Sequence, residues 1–402
     1  MNPAQLLDER IKPEYLTLPS WSHAAKLTYR ITARSGQPVV PRMFIHLQLK
    51  LRKRHGDTVH STNLEDLCAV INLPGMLLWN VEVAFNNIEV SKIQPAQTYA
   101  TYLRVLSEYR PALRSGLLND LAIWMPDNPV RPEEFQSLEL NKNHVSRAIS
   151  LSNDGILEMY APLMSDILLQ PGLIPDNVSI RIDLVRNSHS FCLNVQPQAN
   201  VIYELGILRA DLCIKRHCEN VQRPLRRTSV KLSYCAWDTS LFFFQRGASS
   251  LFARVLHEAL VPSQFIALQV RTDAFYGDYQ RNALDIQFNN AGKANLSFSG
   301  IAQPLQCYDF GDFDRTHPSK RAYFDVMSAL NANLAEPIVS FLEFTSSSFI
   351  LAWDLQSLGN ARGSLELRID LNSPLQHEVV VIGCYIYERE LTCHTNGDVT
   401  LD

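Results

Sequence analysis

In MFIHLQLKL (43–51) the residues Met43, Ile45, Leu47, Leu49 and Leu51 fall on one face, with His46, Gln48 and Lys50 opposite. Side chains leave a β-strand alternately to its two sides, whereas a helix repeats every ~3.6 residues. A segment of this pattern is therefore a strand with one buried and one wet face. VSIRIDLV (178–185) alternates in the same way, and so does SLELRIDL (364–371). Further candidates are KLTYRITAR (26–34), LWNVEVAF (78–85), RAISLS (147–152), ILRADLCIK (207–215), SVKLSYC (229–235) and QFIALQV (264–270). LDIQF (284–288), ANLSFS (294–299), FILAWDL (349–355) and EVVVIGCYIYE (378–388) complete the set. Many short strands broken by Pro, Asn and Gly turns predict an all-β sandwich or jelly roll, not an α/β sheet. Three helical stretches lie between strand blocks: 97–110, 117–124 and 321–334. They read as helices in the long connections of a β fold.

At 402 residues the chain exceeds what one core usually serves, which predicts two domains. RIDL occurs at 181–184 and again at 368–371, late in each half. The same shift of 187 residues sets 43–50 against 230–237, and one of 188 sets 74–83 against 262–271, so a tandem β domain is expected with its boundary near NVQPQAN (194–200).

Hydrophobic residues make up 46% and charged residues 19%, which predicts a globular chain without a long disordered tail. The net charge of −4 gives no global sign of a nucleic-acid coat. The eight cysteines form no CxxC pair, and several sit in apolar runs, so buried free thiols in a reducing compartment are expected. No secretory signal is visible, and no apolar run reaches the ~18–20 residues that span a bilayer. The sequons at Asn177 and Asn295 are then not expected to carry glycans.

Several motifs carry chemical suggestions. His55-x-Asp57 begins the two-His-one-carboxylate triad of iron(II) oxygenases, with His144 or His189 as a distal ligand. It sits in a charged turn, and the hairpin reading is preferred. CIKRHC (213–218) offers Cys213, His217 and Cys218, but zinc needs four ligands at workable spacing, and Cys213 reads as a core-facing strand residue. YDFGDFD (308–314) brings together Asp309, Asp312 and Asp314 without the other parts of a kinase or a calcium loop. The basic residues Lys50, Arg52, Lys53 and Arg54, with Arg223, Arg226 and Arg227, read as solvated strand ends, or as DNA-facing patches if the chain forms a shell.

LCAVINLPGMLLWNVEVAFNNIEV (67–90), followed by QTYATYLRVLSEYRPALRSGLLNDLAIWMPD (97–127), resembles the major capsid proteins of Polinton (Maverick) elements. The run NKNHVSRAISLSNDGILEMYAPLMSDILLQPGLIPDNVSIRIDLVRNSHSFCL (141–193) is similar to theirs. YELGILRADLCIKR (203–216) looks like the opening of that family's second barrel, and RTDAFYGDYQRNALDIQFNN (271–290) like its strand–loop–strand. The last lacks the family's NPF letters, and residues 1–40 match poorly. The resemblance implies two tandem jelly rolls: an arm at 1–25, a first barrel at 26–197 and a second at 198–402. It implies a structural role without catalysis, cofactor or metal. Homotrimers of pseudo-hexagonal outline would tile an icosahedral shell around double-stranded DNA, meeting neighbouring capsomers and a penton or minor capsid protein. The chain would be made in the host cytoplasm, assembled there or in the nucleus, and located in the virion. The rival readings are a jelly-roll iron oxygenase using a 2-oxo acid and a receptor- or glycan-binding β-sandwich.

The 271–290 loop concentrates aromatic residues. Asp273 and Asp278 read as turn-forming and solvent-facing, and Gly277 as the point of reversal. Phe275, Tyr276 and Tyr279 are expected to pin the loop to the barrel end or to a neighbouring subunit.

Overall fold

The computed structural model describes residues 5–14, 26–53, 69–71, 77–122, 156–195, 203–218, 229–311, 320–330, 336–345 and 348–401. The first half runs through β1 (Gln5–Ile11), β2 (Lys26–Ile31), β3 (Val39–Lys53), β4 (Ala69–Ile71), β5 (Trp79–Phe85) and β6 (Ile88–Ser91). It continues with β7 (Ile156–Pro162), β8 (Ile180–Arg186), β9 (Leu193–Val195) and β10 (Tyr203–Cys218). The second half holds β11 (Ser229–Phe244), β12 (Ser250–Leu260), β13 (Gln264–Arg271), β14 (Ala291–Phe298) and β15 (Ile301–Asp309). After these come β16 (Ile350–Asp354), β17 (Arg362–Leu371), β18 (Val379–His394) and β19 (Val399–Leu401).

Four large sheets result, in the orders β1-β10-β3-β7, β2-β8-β5-β6, β11-β18-β13-β16 and β12-β17-β14-β15. The small strands β4 and β9 pair with each other, and β19 pairs with β18. Setting these three aside, the strands of each half follow one rule. One sheet takes the first, eighth, third and sixth strand, and its partner the second, seventh, fourth and fifth. That is the jelly-roll order, present twice, with every named ladder antiparallel. The fold is all-β, two tandem jelly rolls.

Local chemistry explains the elements. β3 buries every second residue from Val39 to Leu51, so its hydrophobic side chains leave water on one face only. The fourth and fifth strands of each barrel meet at a two-residue turn that needs positive φ at both central positions. Asn86 (46°) and Asn87 (68°) supply it in the first barrel, Ser299 (48°) and Gly300 (85°) in the second. Inside each barrel, buried tyrosines span the two sheets while keeping their hydroxyls bonded. Tyr29 donates to Ala210 O at 3.0 Å, and Tyr385 to Val255 O at 2.8 Å.

Several expectations change. RIDL marks the seventh strand in both barrels, β8 and β17, so that repeat is structural. The other two alignments join unlike strands: 43–50 lies in the third strand and 230–237 in the first, while 79–83 lies in the fourth and 264–271 in the third. Connections of unequal length between the strands destroy any single offset. LDIQF (284–288) is no strand, because Ile286 makes only isolated bridges to Val270 and Ser348 while Asn289 and Asn290 turn the chain at positive φ. Residues 5–11 and 203–218 fall outside the expected first barrel, yet both β1 and β10 belong to its sheet: β10 pairs with β1 on one side and with β3 on the other.

A β-bulge between Ile207 and Arg209 shifts the phase of β10. Leu212 and Ile214 therefore take the core, and Cys213 stands half-buried on the other face. Cys192, Cys384 and Cys393 are buried free thiols, whereas Cys235 and Cys307 are exposed, on the wet side of their strands. The helices Gln97–Glu108 and Lys320–Ala329 occupy long connections as expected, and of 117–124 the turn Asn119–Ala122 is helical. RAISLS (147–152) lies outside the described residues.

Candidate interaction surfaces along the seam between the barrels

β11 forms one edge of its sheet, and such a strand carries a row of backbone groups that a neighbouring chain could pair with. Here the first barrel covers part of that row. The helix Gln97–Glu108 buries Tyr99, Leu103, Val105 and Leu106, which leaves Arg104 pressed against β11 at 5% exposure. Its guanidinium meets Asp166 Oδ1 at 2.5 Å, donates to Cys235 O at 2.9 Å and stacks over the Trp237 ring at 5.1 Å. The other oxygen of Asp166 accepts the Trp237 amide at 2.9 Å. One ion pair thus satisfies an acceptor and a donor of the strand edge with charge-assisted bonds. Glu108 closes the group at 3.1 Å from Arg104, and burial pushes its carboxyl above the usual range despite that neighbour.

Beside this contact lies a cavity of about 320 Å³ bordered by Arg104, Asp166, Trp237, Asp238 and Arg389. Its charges come in opposite pairs, Arg104 with Asp166 and Arg389 with Asp238 at 2.7 Å. Such pairing leaves little net field to hold a charged ligand.

Farther along β11 the seam reaches the aromatic loop. β13 ends at Arg271, and the short helix Thr272–Tyr276 turns the chain outward. Asp273 accepts from the Ala274 amide at 2.8 Å and is clamped by Arg271 through two hydrogen bonds, of 3.0 and 2.5 Å. Burial pushes that carboxyl up, but the Arg271 and Ala274 hydrogen bonds and the nearby arginines outweigh it and hold it below its usual range. Asp278 accepts from the Gln280 amide at 2.9 Å, a turn-forming bond. Gly277 has φ of +94°, and a Cβ there would stand 2.8 Å from the Phe191 nitrogen, so both its conformation and its surroundings require glycine.

The three aromatic residues of the loop divide their roles. Phe275 stacks on Tyr99 of the first barrel at 5.9 Å between ring centroids, and Tyr279 donates to Tyr203 O at 3.1 Å. Both pin the second barrel to the first within one chain. Tyr99 in turn donates to Ala283 O at 2.8 Å. Tyr276 is 66% exposed and lies parallel to Phe243, itself 51% exposed, at 6.2 Å. That pair forms an outward-facing aromatic patch.

Other candidates are placed as follows. Lys50, Arg52 and Lys53 lie at the end of β3, where Glu204 of β10 holds Arg52 by bonds of 2.8 and 3.0 Å. Arg54, Arg223, Arg226, Arg227, His55, Asp57, His144, Asp312 and Asp314 lie outside the described residues. His189 is buried at 1% exposure, with Nδ1 accepting the Leu205 amide at 3.1 Å. Asp309 caps the Gly311 amide at 2.9 Å. Among the described residues no group of three or more His, Cys, Asp or Glu side chains is placed to hold a metal ion, and no helix is long and apolar enough to cross a membrane.

Sequence reasoning missed the seam residues Arg104 and Asp166, since nothing local marks them. It also missed Arg216, hidden in CIKRHC. That side chain is 1% exposed and bonds Glu9 at 2.8 Å and Thr32 O at 3.0 Å, tying β10 to β1 and to the end of β2.

No protein-family model matches the chain, and no curated protein matches it. Solved structures do. A chain of the Sputnik virophage is similar with a TM-score of 0.67 at 11% identity, covering 99% of this chain and 88% of that one. The mavirus major capsid protein gives a TM-score of 0.59 at 10% identity, covering 98% and 90%. The faustovirus major capsid protein gives 0.56 at 8% identity, covering 96% and 90%. Each likeness spans both barrels and the connections between them. The chain thus has the double jelly-roll architecture of its structural neighbours, among them the major capsid proteins of mavirus and faustovirus.

Proposed function

We propose that this chain is a major capsid protein of the Polinton (Maverick) kind, forming homotrimers of pseudo-hexagonal outline in an icosahedral shell around double-stranded DNA. The observation that carries this reading is the duplicated strand order, joined along one seam and shared over nearly the whole chain with the mavirus major capsid protein. Two barrels side by side give one chain two similar lobes, so three chains present six. The role is geometric and uses no catalysis or cofactor. The barrels are 5–218 and 229–401, divided by the stretch between β10 and β11. Tyr276 and Phe243 supply an apolar contact to a neighbouring subunit, of the kind that anchors interface cores. Lys50, Arg52 and Lys53, at the end of β3, are the described residues of the basic patches offered to DNA. Neighbouring capsomers and a penton protein complete the shell in the virion, after synthesis in the host cell.

Electron microscopy of the purified protein tests the proposal. Trimers with a hexagonal outline, or closed shells, are expected. A monomer that persists at high concentration would overturn it.

A further inference from the structure

The turn joining β18 to β19 runs from His394 to Asp398, with Gly397 at φ +90°. Its own backbone bonds are His394 N–H to Asp398 O at 2.8 Å and Gly397 N–H to His394 O at 3.1 Å, and Asn396 bonds Asp398 through its side-chain amide at 2.6 and 3.0 Å. Its outward carbonyls are taken by two asparagines of the first barrel. Asn86 Nδ2 donates to Gly397 O at 2.6 Å, and Asn177 Nδ2 donates to His394 O at 2.8 Å and Thr395 O at 3.2 Å. Asn86 is committed at its other end too, since its Oδ1 accepts both the amide and the hydroxyl of Ser179 at 2.8 Å. Two turns far apart in the sequence therefore grip one hairpin of the second barrel.

We propose that this hairpin is a strap that fixes the angle between the two jelly rolls, with Asn86 and Asn177 as its two hooks. The geometry supplies the reason. β19 is three residues long and pairs with β18 alone, so the hairpin has little hold of its own. The Arg104–Asp166 contact grips β11 at Trp237, which pairs with Ile386 of β18. The strap sits eight residues farther along that strand, roughly 26 Å at strand rise. The aromatic loop meets β11 at Phe243, on the other side of Trp237, so the strap is the contact that extends the seam to the opposite end of the strand. The strap also uses the acceptor of the Asn177-Val178-Ser179 sequon, so a glycan on Asn177 and a closed strap exclude each other.

The test is the full chain carrying Asn86→Asp and Asn177→Asp. Aspartate keeps the side-chain shape, tolerates positive φ and still accepts from Ser179, but it has no N–H to donate. Amide hydrogen exchange across residues 391–401 is expected to accelerate at least tenfold. Amides of β13 and β3 should keep their protection, while the small-angle scattering distance distribution broadens. Unchanged exchange and scattering would overturn the strap. So would equally faster exchange throughout both barrels, which would make the two asparagines general stabilisers. If the double variant folds poorly, Asn177→Ser alone carries the same test, with exchange in 391–401 at least threefold faster and the same two overturning results.

Discussion

The two barrels share one strand order but differ in what lies on the outer face of the sheet built from the first, eighth, third and sixth strands. In the first barrel the described part of that face is half-exposed and mostly polar: His46, Gln48 and Lys50 are half-buried on β3, Glu158 of β7 bonds His46 at 2.5 Å, and Phe44 stacks on Tyr160 at 5.0 Å. In the second barrel the matching strands are buried on both faces, β13 from Phe265 to Val270 and β16 from Ile350 to Trp353. The helix Lys320–Ala329 packs against β16, and Gln264 at the start of β13 donates to Ala329 O. An aromatic cluster secures this cover, with Phe349 at 4.8 Å from Phe288, 5.3 Å from Phe310 and 5.5 Å from Phe344. One topology thus tolerates a half-exposed or a covered face, and the side-chain pattern of each strand follows whichever holds.

The sharpest way to break the contrast is to empty the cover. Phe349→Ala, fully buried, should lower stability by about 3–5 kcal/mol, whereas Gln48→Ala on the half-exposed face should stay within about 0.5 kcal/mol. Chemical denaturation measures both, and equal losses would erase the distinction. Next in size is the seam. Arg104→Met leaves Asp166 facing the strand edge without its cation, a loss of about 3 kcal/mol by the measure of broken buried pairs. Calorimetry should then resolve separate melting of the two barrels, and light scattering should rise as the β11 edge is uncovered. A single transition at the parent temperature would refute the claim that this ion pair couples them.

A smaller effect is expected at the aromatic loop. Phe275→Ala with Tyr276→Ala should cost about 2 kcal/mol, since Phe275 is half-buried against Tyr99. Asp273→Asn with Asp278→Asn should cost less than about 1 kcal/mol at neutral pH, because Asp273 is exposed, Asp278 is half-buried in a turn, and asparagine keeps the turn-forming acceptor of each. Thermal melting and sizing compare the pairs, and the reverse ranking would show that the loop is held by its charges.

The smallest effect is pH-dependent. Asp273 titrates in the folded chain below its ordinary 3.8. Its contribution is therefore fully present above 3.8 and disappears as the pH falls through the lower folded value. Melting curves from pH 5 to pH 2.5 should show a small loss in the parent that Asp273→Asn lacks. An identical pH profile in both proteins would remove the Arg271 clamp from the explanation.

Much of the fold could be read in the letters because burial acts locally on a strand. MFIHLQLKL showed its half-wet face by alternation, and QFIALQV and EVVVIGCYIYE were legible as strands. Where a reading failed, a distant neighbour intervened. LDIQF resembles a strand, yet no ladder partner lies beside it beyond single bridges. Cys213 seemed to face the core until the bulge after Ile207 reset the phase. β10 looked like the start of a barrel and proved to close one, because pairing to β3 depends on residues more than 150 positions earlier.

The aromatic loop divides along the same line. Its turn was legible, since Gly277, Asp273 and Asp278 act on their immediate neighbours. That Phe275 and Tyr279 would hold the other barrel while Tyr276 faced outward was not, because the partners Tyr99 and Tyr203 lie in another unit. By itself the sequence determined the all-β class, the two-barrel count and most strands, which follow from period, turn chemistry and length. Only the tertiary structure decided the division of the chain, the Arg104–Asp166 plug and the asparagine hooks. Those depend on backbone carbonyls and amides, groups every residue carries and no letter distinguishes.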